Sequence, residues 1–85
     1  MEYKILIRLY APEVEDDYEL LIPINRTIGE LSALFIKLIR IKHDNYPENA
    51  RIQIFNRREN TFYPPNELVR NTNIRNGTEL VAISI

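Results

Sequence analysis

One imidazole, His43, and a run of carboxylates are the side chains in this sequence with the makings of acid–base chemistry. Glu13, Glu15, Asp16, Asp17 and Glu19 put five acids and no base into seven residues. In a solvated loop such carboxylates remain ordinary bases, and a charge run of this kind serves to keep a loop soluble. Nucleophilic catalysis needs a Ser, Thr or Cys beside a general base. The chain has no cysteine and its single histidine is expected at a helix end, facing solvent or the helix dipole. The same counts leave no ligand set for a Cys- or His-built zinc site. Gly29 and Gly77 are the two glycines, too few for a loop that cradles phosphate. These residues predict no enzyme, no cofactor and no metal, and they direct attention to the surface.

Length and charge narrow the class. At 85 residues the chain makes one domain, residues 1–85, burying roughly 60% of the surface that it exposes when unfolded. The net charge of −1 argues against electrostatic binding of DNA or RNA, which favours strongly basic domains. Basic charge is nonetheless local: Arg26, Lys37, Arg40, Lys42, Arg51, Arg57 and Arg58 face only Glu30, Asp44 and Glu48 between residues 26 and 58. A nucleic-acid reading of Lys37, Arg40, Lys42, Arg51, Arg57 and Arg58 therefore demands salt-sensitive binding to oligonucleotides. No apolar run approaches the ~20 residues that span a bilayer, and the start lacks a signal-peptide pattern. A cytoplasmic protein is expected, reaching a membrane only through a partner.

The elements follow from periodicity. Tyr3 to Tyr10 alternates, with Tyr3, Ile5, Ile7 and Leu9 on one side, the pattern of a half-buried strand. Ala11 to Asp17 reads as a loop, and Tyr18 to Ile24 resumes period two, completing an antiparallel hairpin. Thr27-Ile28-Gly29-Glu30 fits a capping box at a helix start. Ile28, Leu31, Leu34, Phe35, Leu38, Ile39 and Ile41 then form the expected buried stripe, with Lys37, Arg40 and the aliphatic Ile36 pointing away. The helix should end before Asp44-Asn45-Tyr46-Pro47. Arg51 to Phe55 is a short strand, Asn56 to Asn60 a polar turn, and Thr61 to Tyr63 a brief edge strand stopped by Pro64-Pro65. Leu68 and Ile74 anchor a polar connection, Asn76-Gly77 makes a tight turn, and Glu79 to Ile85 is the last strand. The fold class is α+β, a β-grasp with a mixed four- to five-stranded sheet packed on one helix.

This order, the Thr27-Ile28-Gly29-Glu30-Leu31 helix start and the passage from Leu68 to Leu80 resemble ubiquitin-like proteins. Within that superfamily the chain is most similar to the small YukD/EsaB-type proteins of the type VII (WXG100) secretion systems of Gram-positive bacteria. The shared features are size, Tyr18-Glu19-Leu20-Leu21-Ile22-Pro23 leading into the helix, and the Asn76-Gly77 approach to the last strand. The similarity runs over nearly the whole chain but rests on apolar spacing and turns. It implies a cytosolic accessory or regulatory component of the secretion machine with no enzymatic activity. The sequence ends Ser84-Ile85 without the Gly-Gly of ubiquitin-like modifiers, so conjugation is not expected.

Alternation also predicts the contact surface. If Ile5, Ile7, Leu20, Ile22, Ile52, Ile54, Leu80 and Ala82 face the helix, then Leu6, Leu21, Gln53, Phe55, Val81 and Ile83 face the other way. An open antiparallel face is ordinarily polar, and five apolar side chains there form a candidate protein-binding patch, centred on Leu21, Phe55 and Val81. A one-residue register slip would turn Phe55 or Val81 inward. The expected partner is a protein, a secretion-system membrane component or a second copy in a homodimer. Ile36, Lys37 and Arg40 make a secondary candidate on the helix. A generic ubiquitin-like adaptor outside secretion is the rival reading, separable by whether neighbouring genes encode WXG100 proteins and an FtsK-type ATPase.

Overall fold

The computed structural model describes residues 3–85. Five strands form one sheet: β1 (Lys4–Ala11), β2 (Asp16–Pro23), β3 (Ile52–Asn56), β4 (Thr61–Phe62) and β5 (Glu79–Ser84), in the order β2-β1-β5-β3-β4. A single α-helix, α1 (Ile28–Lys42), covers one face. β1 and β5 pair in parallel at the centre, and the other neighbours are antiparallel. The α+β β-grasp expected from the sequence is the fold of the chain.

The first two strands reach further into their connection than their hydropathy suggested. β1 runs on to Ala11 and β2 begins at Asp16, so the expected loop shrinks to a 3-10 turn, Pro12–Val14, closed by Glu15 at φ 51. The Glu15 N–H donates to the Pro12 carbonyl, and Asp16 and Asp17 are drawn into strand positions.

The capping box forms as the sequence predicts. The Glu30 amide donates to Thr27 Oγ1 at 3.1 Å, and the Thr27 amide donates to Glu30 Oε1 at 3.0 Å. The two preceding helix amides are met from outside: Ile28 donates to the Glu67 carbonyl and Gly29 to that of Pro65. All the orphan donors of the first turn thus find acceptors, and the connection that follows β4 is tied to the helix start. A Cβ at Gly29 would stand 3.2 Å from the Pro65 carbonyl oxygen, so glycine permits the approach. At the other end His43 caps the helix through its N–H to the Ile39 carbonyl.

The buried stripe of α1 is rotated from the expected one. Ile28, Leu31, Phe35 and Ile39 are buried, whereas Leu34 is exposed and Ile41 is 82% exposed. Ile36, expected to point away, packs partly buried against both the main core and a smaller cluster of Ala11, Ile39 and Tyr46. The reason lies beyond the helix: Arg40 Nε donates to the Tyr46 carbonyl at 2.9 Å, holding the following segment so that Tyr46 extends the core over the Ile36 flank.

The sheet contributes Ile7, Leu9, Ile22, Ile52, Ile54, Leu80 and Ala82 to the core, with Ile5 and Leu20 packed at its margin. Asn56 belongs to β3 rather than to a polar turn. It is buried, and its amide nitrogen donates to the Tyr63 hydroxyl, which in turn donates to Asn73. Asn76-Gly77 makes the expected turn at φ 90, with the Gly77 amide donating to the Leu6 carbonyl.

Candidate protein-binding face

Strand register fixes what the open side of the sheet presents. Across β2, β1 and β5, Glu19, Arg8 and Glu79 lie in one row, and Asp17, Tyr10, Val81, Phe55 and Phe62 lie in the next, running through β3 to β4. Leu21 and Leu6 are opposite each other on the far side of the charged row, and Ile83 and Gln53 lie beyond the aromatic one. Leu6, Leu21, Phe55, Val81 and Ile83 therefore all face away from the helix, but not as one patch. The Arg8 guanidinium, 3.6 Å from the Glu19 carboxylate, stands between Leu6–Leu21 and the rest.

The centre of the expected patch also needs correcting. Val81 is only 6% exposed, because its cross-strand neighbours Tyr10 and Phe55 close over it. What is presented to solvent is a ridge of aromatics: Tyr10, half-buried Phe55 and Phe62, the last 51% exposed. Phe55 and Phe62 pack with ring centroids 4.5 Å apart at 38°, a tilted arrangement within the favourable range for aromatic pairs. Phe62, the last residue of β4, faces outward, and Tyr63 just after it turns inward. Beside the ridge opens a depression of about 630 Å³, lined by Arg8, Tyr10, Asp17, Arg57, Arg58, Glu79 and Val81. An apolar ridge with a rim of both charge signs has the composition of a protein contact.

The secondary candidate on the helix does not hold together. Ile36 is partly buried against the core, Arg40 is engaged with the Tyr46 carbonyl, and Lys37 lies in a different groove beside Leu21 and Pro23. Lys42 too is engaged, 3.0 Å from Asp16 Oδ2.

The acid run and His43 meet at that same carboxylate. His43 Nε2 lies 3.0 Å from Asp16 Oδ2, so the histidine expected to face solvent or the helix dipole stands at the helix C-cap as a half-buried partner of Asp16. Hydrogen bonds from Lys42 and then His43 hold the Asp16 carboxyl down at about 2. Burial raises the neighbouring Tyr18 phenol, and the Asp16 charge adds to it. A carboxylate so stabilised is a poor base at neutral pH, and its partners serve to clamp β2 to the helix end.

Comparison with solved structures places this geometry among known folds. The EccD5 ubiquitin-like domain from Mycobacterium xenopi superposes with a TM-score of 0.75 at 11% identity, covering 98% of this chain and 96% of that one. The fold is the ubiquitin-like β-grasp. A chain of the MycP5-free ESX-5 inner membrane complex matches at TM-score 0.74 and 11% identity over 96% of this chain. This chain spans 21% of the length of that ESX-5 chain. A chain of the toluene 4-monooxygenase HD complex, with the inhibitor 4-bromobenzoate, gives 0.78 at 6% identity, covering 98% of this chain and all of that one. No protein-family model matches the sequence, and no curated protein does.

Proposed function

We propose that this chain is a non-catalytic ubiquitin-like protein-binding module of the YukD/EsaB type, serving as a cytosolic accessory or regulatory component of a Gram-positive type VII (WXG100) secretion system. The observation that carries the binding role is the aromatic ridge of Tyr10, Phe55 and Phe62 on the sheet face that the helix leaves open. The secretion reading is supported by the resemblance in sequence, and the likeness of fold to the EccD5 domain and the ESX-5 chain is compatible with it. The non-catalytic reading is supported by the chemistry, since the one imidazole is bound to a carboxylate held in its ionised form.

The partner on this reading is a protein, namely a membrane component of the secretion machine, and the chain reaches the membrane through it. No helix among the described residues is long and apolar enough to cross a bilayer. The test is capture from detergent-solubilised membranes of the source cells with immobilised wild type and Phe62→Glu. Recovery of secretion-system membrane proteins by the wild type alone supports the reading and places the contact on the ridge. Recovery by both moves the contact elsewhere, and recovery by neither leaves a generic ubiquitin-like adaptor as the better account. That second reading is favoured by the breadth of the fold, which the toluene monooxygenase chain also shares.

A further inference from the structure

The two edges of the sheet differ in kind. β4 is two residues long and is followed by Pro64-Pro65, which cannot extend a ladder. β2 is an eight-residue edge whose outer side is open. The phase of its free backbone groups follows from the hydrogen bonds of β1. The Arg8 amide donates to the Thr78 carbonyl and the Leu6 carbonyl accepts from Gly77, so these even-numbered residues turn toward β5. The odd-numbered residues of β1 therefore pair with Tyr18, Leu20 and Ile22 of β2. This leaves the N–H and C=O groups of Glu19 and Leu21, and the carbonyl of Pro23, directed outward along the edge.

The side chains around that edge are apolar and divided in charge. Leu21 is 59% exposed, and Leu34 on α1 is exposed across a groove of about 510 Å³ that Leu21, Pro23 and Leu34 help to line. Lys4, Arg26 and Lys37 surround the Pro23 end of the groove, together with Glu30. The other end of the strand carries Asp17 and Glu19. An edge with acids at one end and bases at the other repels a parallel copy and matches an antiparallel one.

We propose that β2 is a self-association edge, through which two copies of the chain pair antiparallel about a two-fold axis at Leu20. In this register Leu21 of each copy exchanges main-chain hydrogen bonds with Glu19 of the second copy. Asp17 lies across from Pro23 of the second copy, whose β1 neighbour is Lys4. The two Leu21 side chains approach each other on the open face of the seam, and the two Leu34 flanks lie on its helix side. Two five-stranded sheets join into one, and the edges that remain are both β4, too short and too rich in following proline to recruit a third copy. The isologous contact closes at the dimer. This surface is separate from the aromatic ridge, whose exposed end lies at β4 on the opposite edge, so a dimer presents two ridges.

Sedimentation analysis of the full chain from about 10 µM to about 1 mM tests the proposal, a range that captures even weak contacts. The expected result is a monomer–dimer equilibrium. Because each variant acts twice in a symmetric pair, Leu21→Pro should lower the association constant about tenfold or more. The substitution removes an outward N–H together with the Leu21 side chain of the seam, and proline is tolerated in an edge strand where that N–H faces solvent. Lys4→Glu should weaken association about threefold or more, and adding Asp17→Lys should restore it. This charge-swap pair decides the matter if Leu21→Pro disturbs folding. Amide exchange gives an independent reading: Glu19 and Leu21 should gain protection as concentration rises. A wild type that stays monomeric to about 1 mM, or a dimer unmoved by either Leu21→Pro or the charge swap, overturns the proposal.

Discussion

Val81 stands directly across the β3–β5 ladder from Phe55, on the face that the helix leaves open, yet it is nearly as buried as the core residues beneath it. Facing outward and being accessible are different properties, and the aromatic neighbours decide between them. Phe62 is the accessible member of the ridge, packed against Phe55.

That distinction yields opposite outcomes for two charge substitutions. Phe62→Glu should abolish partner capture while costing about 0.5–1.5 kcal/mol, the worth of an aromatic pair. Val81→Glu should destabilise by several kcal/mol, since a carboxylate would be buried without a partner. Thermal melts of the two variants beside wild type check this. Equal stability of both would show that Val81 is accessible after all.

On the helix, Ile36→Ala should cost about 1–3 kcal/mol, below the full cost of truncating a wholly buried aliphatic because Ile36 is only partly covered. Ile41→Ala, at a far more exposed position, should stay within about 0.5 kcal/mol of wild type. Urea midpoints at unchanged m-value give the comparison.

Much of this was legible from the sequence because its determinants are local. The capping box at Thr27 and Glu30 is a four-residue signal, and period-two alternation correctly sent Ile7, Ile22, Ile54 and Leu80 inward. The rotated helix stripe was not legible, because the residue that covers Ile36 is Tyr46, which lies in a polar stretch before Pro47. The split of the outer face was hidden for a similar reason. It depends on the charged row of Glu19, Arg8 and Glu79, which spans three strands and is completed by a parallel pairing that no local pattern encodes. The outward position of Phe62 is not legible because a two-residue strand carries almost no periodicity.

Thr27→Ala removes the acceptor of the Glu30 amide and should cost about 0.5–2 kcal/mol. Combining it with Glu30→Ala should cost less than the sum of the two, since each breaks the same box. Chemical denaturation of the single and double variants measures the coupling.

Acid should loosen the β2–helix clamp in a defined window. The Asp16 carboxyl is held at about 2 in the folded chain against an ordinary 3.8. A depressed carboxyl contributes stability that is complete above its unfolded value and is lost as pH falls through the folded one. Stability should therefore decline between about pH 4 and pH 2, and Asp16→Asn should flatten that part of the profile. Melting temperatures from pH 7 to 2 show it; an unaltered slope in the variant would remove Asp16 from the account.

In the interior, Tyr63→Phe deletes the hydroxyl that accepts from Asn56 and donates to Asn73. Asn56 is buried, so a loss of about 1–3 kcal/mol is expected from its unmet amide. Asn56→Ala also removes the acceptor of the Glu59 amide, so it should still cost stability in the Tyr63→Phe background, but less than in wild type, and a double-mutant cycle measures the difference.

The parallel pairing of β1 with β5 sets the timing of folding. Leu6 and Asn76, seventy residues apart, bond across it, and β5 also holds β3 in the sheet. The β1–β2 hairpin and the helix are local units, but the middle of the sheet is vacant until β5 inserts between β1 and β3. Folding of such non-local topologies is slow. Closure of the sheet therefore waits on residues far apart in the chain, and the apolar edges of β1 and β3 stay uncovered until β5 docks between them.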